Sequence, residues 1–215
     1  MKQIICLITV SAGLAIPTAH AASIVEIHSF TVGTGIPDGN PSGLADLQSL
    51  TTAISLIEDI SVTLEIAGTF NGDLYVTLQH ESGFAVLLNG IGRTASDAFG
   101  FGDDGVQITL NDLGGFSDIH TQTTGGGTLT SPPNFGSDGR TTDPDLVVAG
   151  DSRDALLDGF VGLDANGGWT LFVADLSGGD EHTLNSWGME ITGVPEPANA
   201  TLLVLGAALL GRRRR

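Results

Sequence analysis

Gly167-Gly168-Trp169-Thr170-Leu171-Phe172-Val173-Ala174-Asp175 places Trp169, Leu171 and Val173 on one phase of a two-residue period and Thr170, Phe172 and Ala174 on the other. Successive side chains of a strand point to opposite faces, so this stretch reads as a strand with one face in a core and both tryptophan and its aliphatic neighbours buried. The same alternation recurs along the chain. Ile60, Val62, Leu64 and Ile66 form one set, and Leu74, Val76 and Leu78 another, with Tyr75, Thr77 and Gln79 outward. Val86 with Leu88, then Val106, Ile108 and Leu110, and finally Trp187, Met189 and Ile191 complete the series. Between these runs lie Asn71-Gly72-Asp73, Asp103-Asp104-Gly105, Asn166-Gly167-Gly168 and Ser177-Gly178-Gly179-Asp180, whose Gly and Asn residues supply the positive φ that chain reversals need. The expected class is all-β, an antiparallel sandwich. A 3.6-residue stripe occurs at 44–58, where a short helix is expected. The glycine-rich stretch 111–155, with Gly125-Gly126-Gly127 and Pro132-Pro133, is expected to be a mobile excursion rather than a second domain.

The two ends have a different composition. Lys2 followed by the apolar run 4–16 and by Ala19-His20-Ala21, small at the two positions a signal peptidase reads, predicts an export signal cut before Ala22. Leu7-Ile8 after Cys6 do not fit a lipoprotein signal. At the other end, Pro195-Glu196-Pro197 precedes an uncharged apolar run, 198–210, and Arg212, Arg213, Arg214 and Arg215. The prolines cannot continue a helix, so one is expected to begin after Pro197, a short transmembrane helix anchored by the arginine cluster on the cytoplasmic face. Proline-glutamate-proline, hydrophobic helix and arginine cluster in that order resemble the PEP-CTERM sorting signal of Gram-negative bacteria. The resemblance implies recognition by a membrane-embedded exosortase and release or attachment at the cell surface, in bacteria that make exopolysaccharide and grow in biofilms. The chain then divides into a signal peptide (1–21), an N-terminal strand and loop region (22–53), the sandwich (54–193) and the sorting signal (194–215).

Removing the ends exposes how acidic the body is. Of 8 basic residues, only Arg93, Arg140 and Arg153 remain against almost all of the 25 acidic ones, and the single cysteine leaves with the signal peptide. Nucleic acid is excluded as a partner, because binding phosphate needs clustered Lys and Arg. No disulfide is available, so the core or bound cations must stabilise the body.

Within the body, Gly72-Asp73-Leu74-Tyr75-Val76-Thr77-Leu78, the turn His80-Glu81-Ser82-Gly83 and Val86-Leu87-Leu88 resemble the Gly-Asp-Leu strand and hairpin of the proprotein convertase P domain (P/Homo B). Phe160-Val161-Gly162, Gly167-Gly168-Trp169-Thr170-Leu171-Phe172-Val173-Ala174-Asp175 and Leu184-Asn185-Ser186-Trp187 follow its later pattern. The chain departs from the family at Glu81-Ser82, where a proline is usual, and at His182, where a glycine is; Phe116 and Asp118 match only loosely. The resemblance implies a jelly roll of about eight strands that accompanies a subtilisin-like serine protease and supports its folding without hydrolysing peptides itself. The chain carries no Asp-Ser/Thr-Gly, His-Gly-Thr or Gly-Thr-Ser motif, since His28, His80, His120 and His182 precede Ser29, Glu81, Thr121 and Thr183. A non-catalytic role is therefore expected, either structural or adhesive in an extracellular polysaccharide matrix or accessory to a separate subtilisin-like protease. The histidines are expected at the surface or in turns.

Ca2+ takes six to eight oxygens, commonly from Asp, Asn and carbonyls of Gly-containing loops. Asp103 and Asp104, then Asp151, Asp154 and Asp158, then Asp164 and Asn166 are the candidate ligands. Asp73 and Asp175 are expected to cap turns, and Trp169 and Trp187 to be buried. Tyr75 and Phe172, on the exposed phase, are the residues a sugar-binding role would use.

Overall fold

The computed structural model describes residues 22–196. The expected cleavage residues Ala19 and Ala21, the apolar run, Pro197 and Arg212 to Arg215 lie outside that range. Among the described residues no helix is long and apolar enough to cross a membrane.

Strands β1 (Ile24–Ile36), β2 (Leu44–Leu50), β3 (Ile54–Ala67), β4 (Leu74–His80), β5 (Gly83–Asn89) and β6 (Val106–Leu110) lead into three two-residue strands. These are β7 (Ser117–Asp118), β8 (Leu129–Thr130) and β9 (Phe135–Gly136); β10 (Gly167–Asp175) and β11 (His182–Pro195) close the chain. One sheet has the order β1-β11-β3-β6-β9-β7, with β8 on β6; the other has the order β2-β10-β4-β5. The chain is all-β, as expected. The expectation of purely antiparallel pairing is corrected: β6 pairs with β8 and β9 in parallel, as does β7 with β9. These parallel contacts come from the 111–155 stretch laying short pieces beside β6, where no hairpin dictates direction.

The inward phases of both sheets merge in one core. Val62, Leu64 and Ile66 of β3, Leu74, Val76 and Leu78 of β4, Trp169, Leu171 and Val173 of β10 and Trp187, Met189 and Ile191 of β11 all belong to it. Trp169 lies 4.5 Å from the His80 ring and 5.0 Å from Phe160, and its indole N–H donates to Ala165 O at 3.0 Å. Trp187 stacks on Phe30 at 4.7 Å and donates to Asp46 Oδ2 at 2.7 Å. Each large ring thus buries its apolar body while its single polar atom keeps a partner. Val86 departs from its expected phase: the register shift opposite Val76/Thr77 pairs it with Thr77, outside the core cluster, while Leu88 stays within it.

The helix expected over 44–58 is absent; β2, a turn and the start of β3 occupy it. β2 pairs with β10 from Leu44↔Val173 to Leu50↔Gly167, so it sits at the edge of the four-stranded sheet. The 22–53 region supplies one strand to each sheet, since β1 pairs with β11 along nearly its whole length.

The 111–155 stretch is not the free excursion expected from its glycines. Asn111 Nδ2 donates to Asp59 Oδ1 (2.9 Å) and Ser61 Oγ (3.0 Å), stitching it to β3. Asp138 N and Gly139 N donate to Leu87 O and Val86 O, and Val86 N donates to Ala155 O, so the segment extends the β5 edge. Asp112 receives Ser137 N (2.9 Å) and Leu157 N (2.7 Å). Carboxylates bonded to backbone N–H groups hold this chain where regular secondary structure does not.

Candidate functional site

The candidate Ca2+ ligands do not converge. Asp103 is buried, and its carboxylate receives Thr124 N (3.0 Å), Thr124 Oγ1 (3.1 Å) and Gly126 N (2.6 Å). Burial alone would raise its pKa, but these bonds with a further one from Thr123 outweigh it and hold the carboxyl below the usual range. Asp103 therefore clamps the Gly125-Gly126-Gly127 turn, while its neighbour Asp104 points to solvent. Asp151 caps its own turn by receiving Val148 N at 3.0 Å, which lowers its pKa; Asp154 receives Ser152 Oγ at 2.6 Å, and Asp158 is exposed. Asp164 Oδ1 receives Asn166 N (3.0 Å) and Nδ2 (2.8 Å), which lowers its pKa, and Asn166 Oδ1 receives Thr52 N (2.8 Å). Among the described residues no group of three or more His, Cys, Asp and Glu side chains is arranged to hold a metal ion.

Of the histidines expected at the surface or in turns, His80 flanks the β4–β5 turn and His120 lies in the 3-10 turn Ile119–Thr121, but neither they nor His182 is at the surface. His80, His120 and His182 are buried. His120 Nδ1 lies 2.9 Å from Asp138 Oδ2 and its Nε2 3.0 Å from Arg93 O. Both neighbours only accept, so both ring nitrogens must donate and the imidazole is cationic. Burial opposes that charge, yet the Asp138 bond and charge and the Arg93 carbonyl raise the pKa above its ordinary value. Arg140 completes the cluster, reaching Asp118 Oδ2 at 2.6 Å, Asp138 Oδ1 at 3.1 Å and Ala149 O at 2.7 Å. A second buried pair joins His182 Nδ1 to Asp175 Oδ2 at 2.8 Å. Asp175 also receives Ser177 N at 3.4 Å, the turn-capping role expected of it. Nearby, burial raises the Asp73 pKa, reinforced by Asp175 and opposed by Ser177 and Arg93.

Sequence reasoning missed both clusters. The partners lie 18 and 7 residues apart, at no ligand or triad spacing. The one signal available was that a domain with three arginines cannot leave them idle among so many carboxylates.

His80 Nδ1 is 2.9 Å from Ser82 Oγ and its Nε2 2.9 Å from Asn166 O. The carbonyl requires Nε2–H to donate, and the serine hydroxyl, donor and acceptor alike, pairs with Nδ1. This closes the β4–β5 hairpin at Glu81-Ser82. A nucleophile would need its base oriented by a further group and an oxyanion site; here the orienting partner is an uncharged carbonyl.

The outer face of the seven-stranded sheet has two adjoining open depressions of about 470 and 390 Å³ that share Glu65 and Gln107. Thr63, Thr109, Ser131 and Ser186 also line them, and Ser186 Oγ donates to Glu65 Oε2 at 2.8 Å. The lining combines hydroxyl, amide and carboxylate groups with apolar Leu64, Ile66, Ala67 and Ile108, and has no cationic side chain. Pro195 is the last residue of β11, opposite Ile54, and Glu196 N donates to Ala53 O at 3.1 Å.

No protein-family model and no curated protein matches the chain. Among solved structures, the chain is similar to the crystal structure of an Aeromonas sobria serine protease in complex with the chaperone ORF2, at 16% identity, with 82% of this chain and 28% of that one covered and a TM-score of 0.42. It is also similar to the crystal structure of the serine protease of Aeromonas sobria, at 14% identity over 83% of this chain and 28% of that one, with a TM-score of 0.45. The chain spans a little over a quarter of the length of the solved chains it matches.

Proposed function

We propose that the chain is an exported, non-catalytic jelly-roll module, resembling the P domain, that is sorted by an exosortase to the cell surface or extracellular matrix and acts there by binding. The jelly-roll reading is supported by the strand order: β1-β11-β3-β6 covers β2-β10-β4-β5, so sequence-adjacent β1 and β2 lie in opposite sheets, as do β3 and β4 and the late pair β10 and β11. The observation that carries the non-catalytic reading is the state of the imidazoles. His120 has both nitrogens bound to acceptors inside the body, His182 is held by Asp175 with no exposed side-chain surface, and His80 closes a hairpin. The hydroxyl and amide lining on the seven-stranded sheet favours a neutral, hydroxyl-rich matrix polysaccharide, which makes hydrogen bonds and needs no cation. Ca2+ enters this reading through the acidic charge of the body alone.

Fractionation with intact-mass measurement tests the sorting. The expected product starts at Ala22 and lacks Arg212 to Arg215; a cytosolic chain with both ends intact overturns it. Turnover of ester or peptide substrates that disappears in Ser82→Ala would overturn the non-catalytic reading. A melting temperature unchanged by chelator removes Ca2+.

A second reading, an accessory module acting with a separate subtilisin-like protease, rests on the Gly-Asp-Leu and Gly-x-Trp strands, which pair directly as β4 and β10. Co-purification with such an enzyme, or rescue of its folding, would favour it.

A further inference from the structure

The outer face of the four-stranded sheet carries an aromatic pair. Register places Tyr75 opposite Ala174 and Phe172 opposite Thr77, so the two rings are diagonal neighbours on the side away from the core, 6.5 Å apart and edge to face at 67°. Pro41 from the β1–β2 loop, Leu176 after β10, and Asp143, Pro144 and Asp145 enclose them in an open cavity of about 300 Å³. Three separate stretches of chain therefore meet over two strands.

The cavity is held in shape from below and from the side. Gly43 has φ +51°, and a Cβ there would fall 2.8 Å from Phe172 Cζ, so the ring packs close against backbone that only glycine provides. Pro144 O accepts Arg93 Nη1 at 2.7 Å, and Arg93 is itself buried and also donates to Gly72 O at 3.0 Å. Asp145 N donates to Asp143 Oδ1 at 3.0 Å, leaving the Asp145 carboxylate at the rim with 85% of its side chain exposed. Burial and the Asp138 charge raise the Tyr75 pKa, so its phenol stays neutral.

We propose that this pocket receives a basic side chain, Lys or Arg, presented by a partner polypeptide. The ring faces carry negative quadrupole density that attracts a cation over them, and the two rim carboxylates meet its charge while the rings cover its aliphatic stem. The strongly acidic body adds long-range attraction. Arg93 Nη1 lies 3.8 Å from Asp145 Oδ1 beneath the rim, so Asp145 is shared with one internal cation, while Asp143 is exposed and free to take most of the incoming charge. An anionic ligand would be repelled, and a neutral sugar donates hydroxyls to such carboxylates but brings no charge to offset theirs.

The proposal deepens the binding-module reading and names a partner chemistry; the localisation assay tests export, and the titration here tests the pocket. The probe is a short acetylated, amidated peptide with one central arginine, and the control replaces that arginine by citrulline, its neutral isostere. By calorimetric titration of the exported protein, the arginine peptide binds about tenfold tighter than the citrulline peptide. Phe172→Ala and the double variant Asp143→Asn with Asp145→Asn each remove most of that difference. The double variant Asp104→Asn with Glu190→Gln, an equal loss of two charges at exposed positions outside the pocket, leaves it intact. Equal affinity for the two peptides overturns the proposal. So does an arginine preference that survives Phe172→Ala and falls equally in the control with Asp104→Asn and Glu190→Gln, which would mark diffuse charge attraction, and so does displacement of the peptide by a neutral oligosaccharide. The double asparagine variant changes only exposed side chains, which keeps the test decisive should Phe172→Ala fold poorly.

Discussion

The strand framework and the 111–155 segment are held together in different ways. In the framework, β3, β4, β10 and β11 bury alternate aliphatic and aromatic side chains in one core, and hydrogen bonds follow from ladder pairing. The segment has only two-residue strands and scattered apolar anchors such as Ile119, Leu129 and Phe135. It is fixed by half-buried Asp112, which holds Ser137 and Leu157 N, and by a charge cluster in which buried Asp138, His120 and Arg140 pair with one another and with half-buried Asp118. Apolar burial tolerates imperfect partners and scales with area. A buried charge network stabilises only when complete, and leaves an uncompensated charge when one member is lost. A cysteine-free domain thus supplements its core with a polar lock over the part of the chain that cannot form long strands.

The largest effects separate the two by what unfolds. Trp169→Ala should cost about 3–5 kcal/mol through lost burial and the cavity left behind, lowering the midpoint of a single cooperative transition. Asp138→Ala should cost a similar 3–5 kcal/mol by stranding Arg140 and His120. Its signature in hydrogen exchange is early loss of protection across 111–155 while β3 and β11 remain protected. If Asp138→Ala instead unfolds all strands together, the segment is part of the same cooperative unit and the distinction fails.

A pH series sharpens the same contrast. His120 has a folded pKa above its unfolded value of about 6.5. Its contribution is therefore fully present below about pH 6.5 and is lost as pH rises through the folded value. His120→Gln should remove about 1.5–3 kcal/mol at pH 5.5, the range for hydrogen bonds to charged groups, and less at alkaline pH. Asp103 runs the other way. Its folded pKa is depressed, so its clamp on the 124–127 turn is present above about pH 3.9 and is lost as pH falls. Asp103→Asn should cost about 1–2 kcal/mol at neutral pH, with little difference from wild type at very low pH. Thermal melts of both variants across pH check the two signs; parallel curves would contradict the assignment.

How much of this the sequence carried depends on which force holds each part. Strands β3, β4, β6, β10 and β11 were legible because core burial writes a period of two into the chain, down to the burial of Trp169 and Trp187. The charge lock was not legible. Its members are brought together by long-range folding, and glycines that look like freedom in the sequence are held by carboxylates such as Asp103 and Asp112. The acidic loops drew attention as cation ligands for the same reason: a carboxylate in a Gly-rich turn has one composition whether it holds a metal or a backbone N–H. The aromatic pair was legible only as two exposed-phase residues on different strands, and register alone made them neighbours.

The 44–58 stretch gives the smallest effect and the cleanest test of misreading. Leu44, Leu47, Leu50, Ile54 and Ile57 fall three to four residues apart, which imitates one face of a helix. In the strand, the inward phase of β2 instead includes polar Asp46 and Gln48, and Gln48 Nε2 donates to Asp46 Oδ2 at 2.8 Å beside the Trp187 indole. Leu47 lies on the outward phase and is 68% exposed. Leu47→Gln should therefore change stability by no more than about 0.5 kcal/mol, whereas Asp46→Ala should cost about 1–3 kcal/mol because the buried Trp187 N–H loses its acceptor. A helix with its leucine stripe in the core would reverse that order, since Leu47 would then be buried and its replacement would cost several kcal/mol. Urea melts of the two variants side by side decide between them, because the ranking is opposite under the two pairings of the same residues.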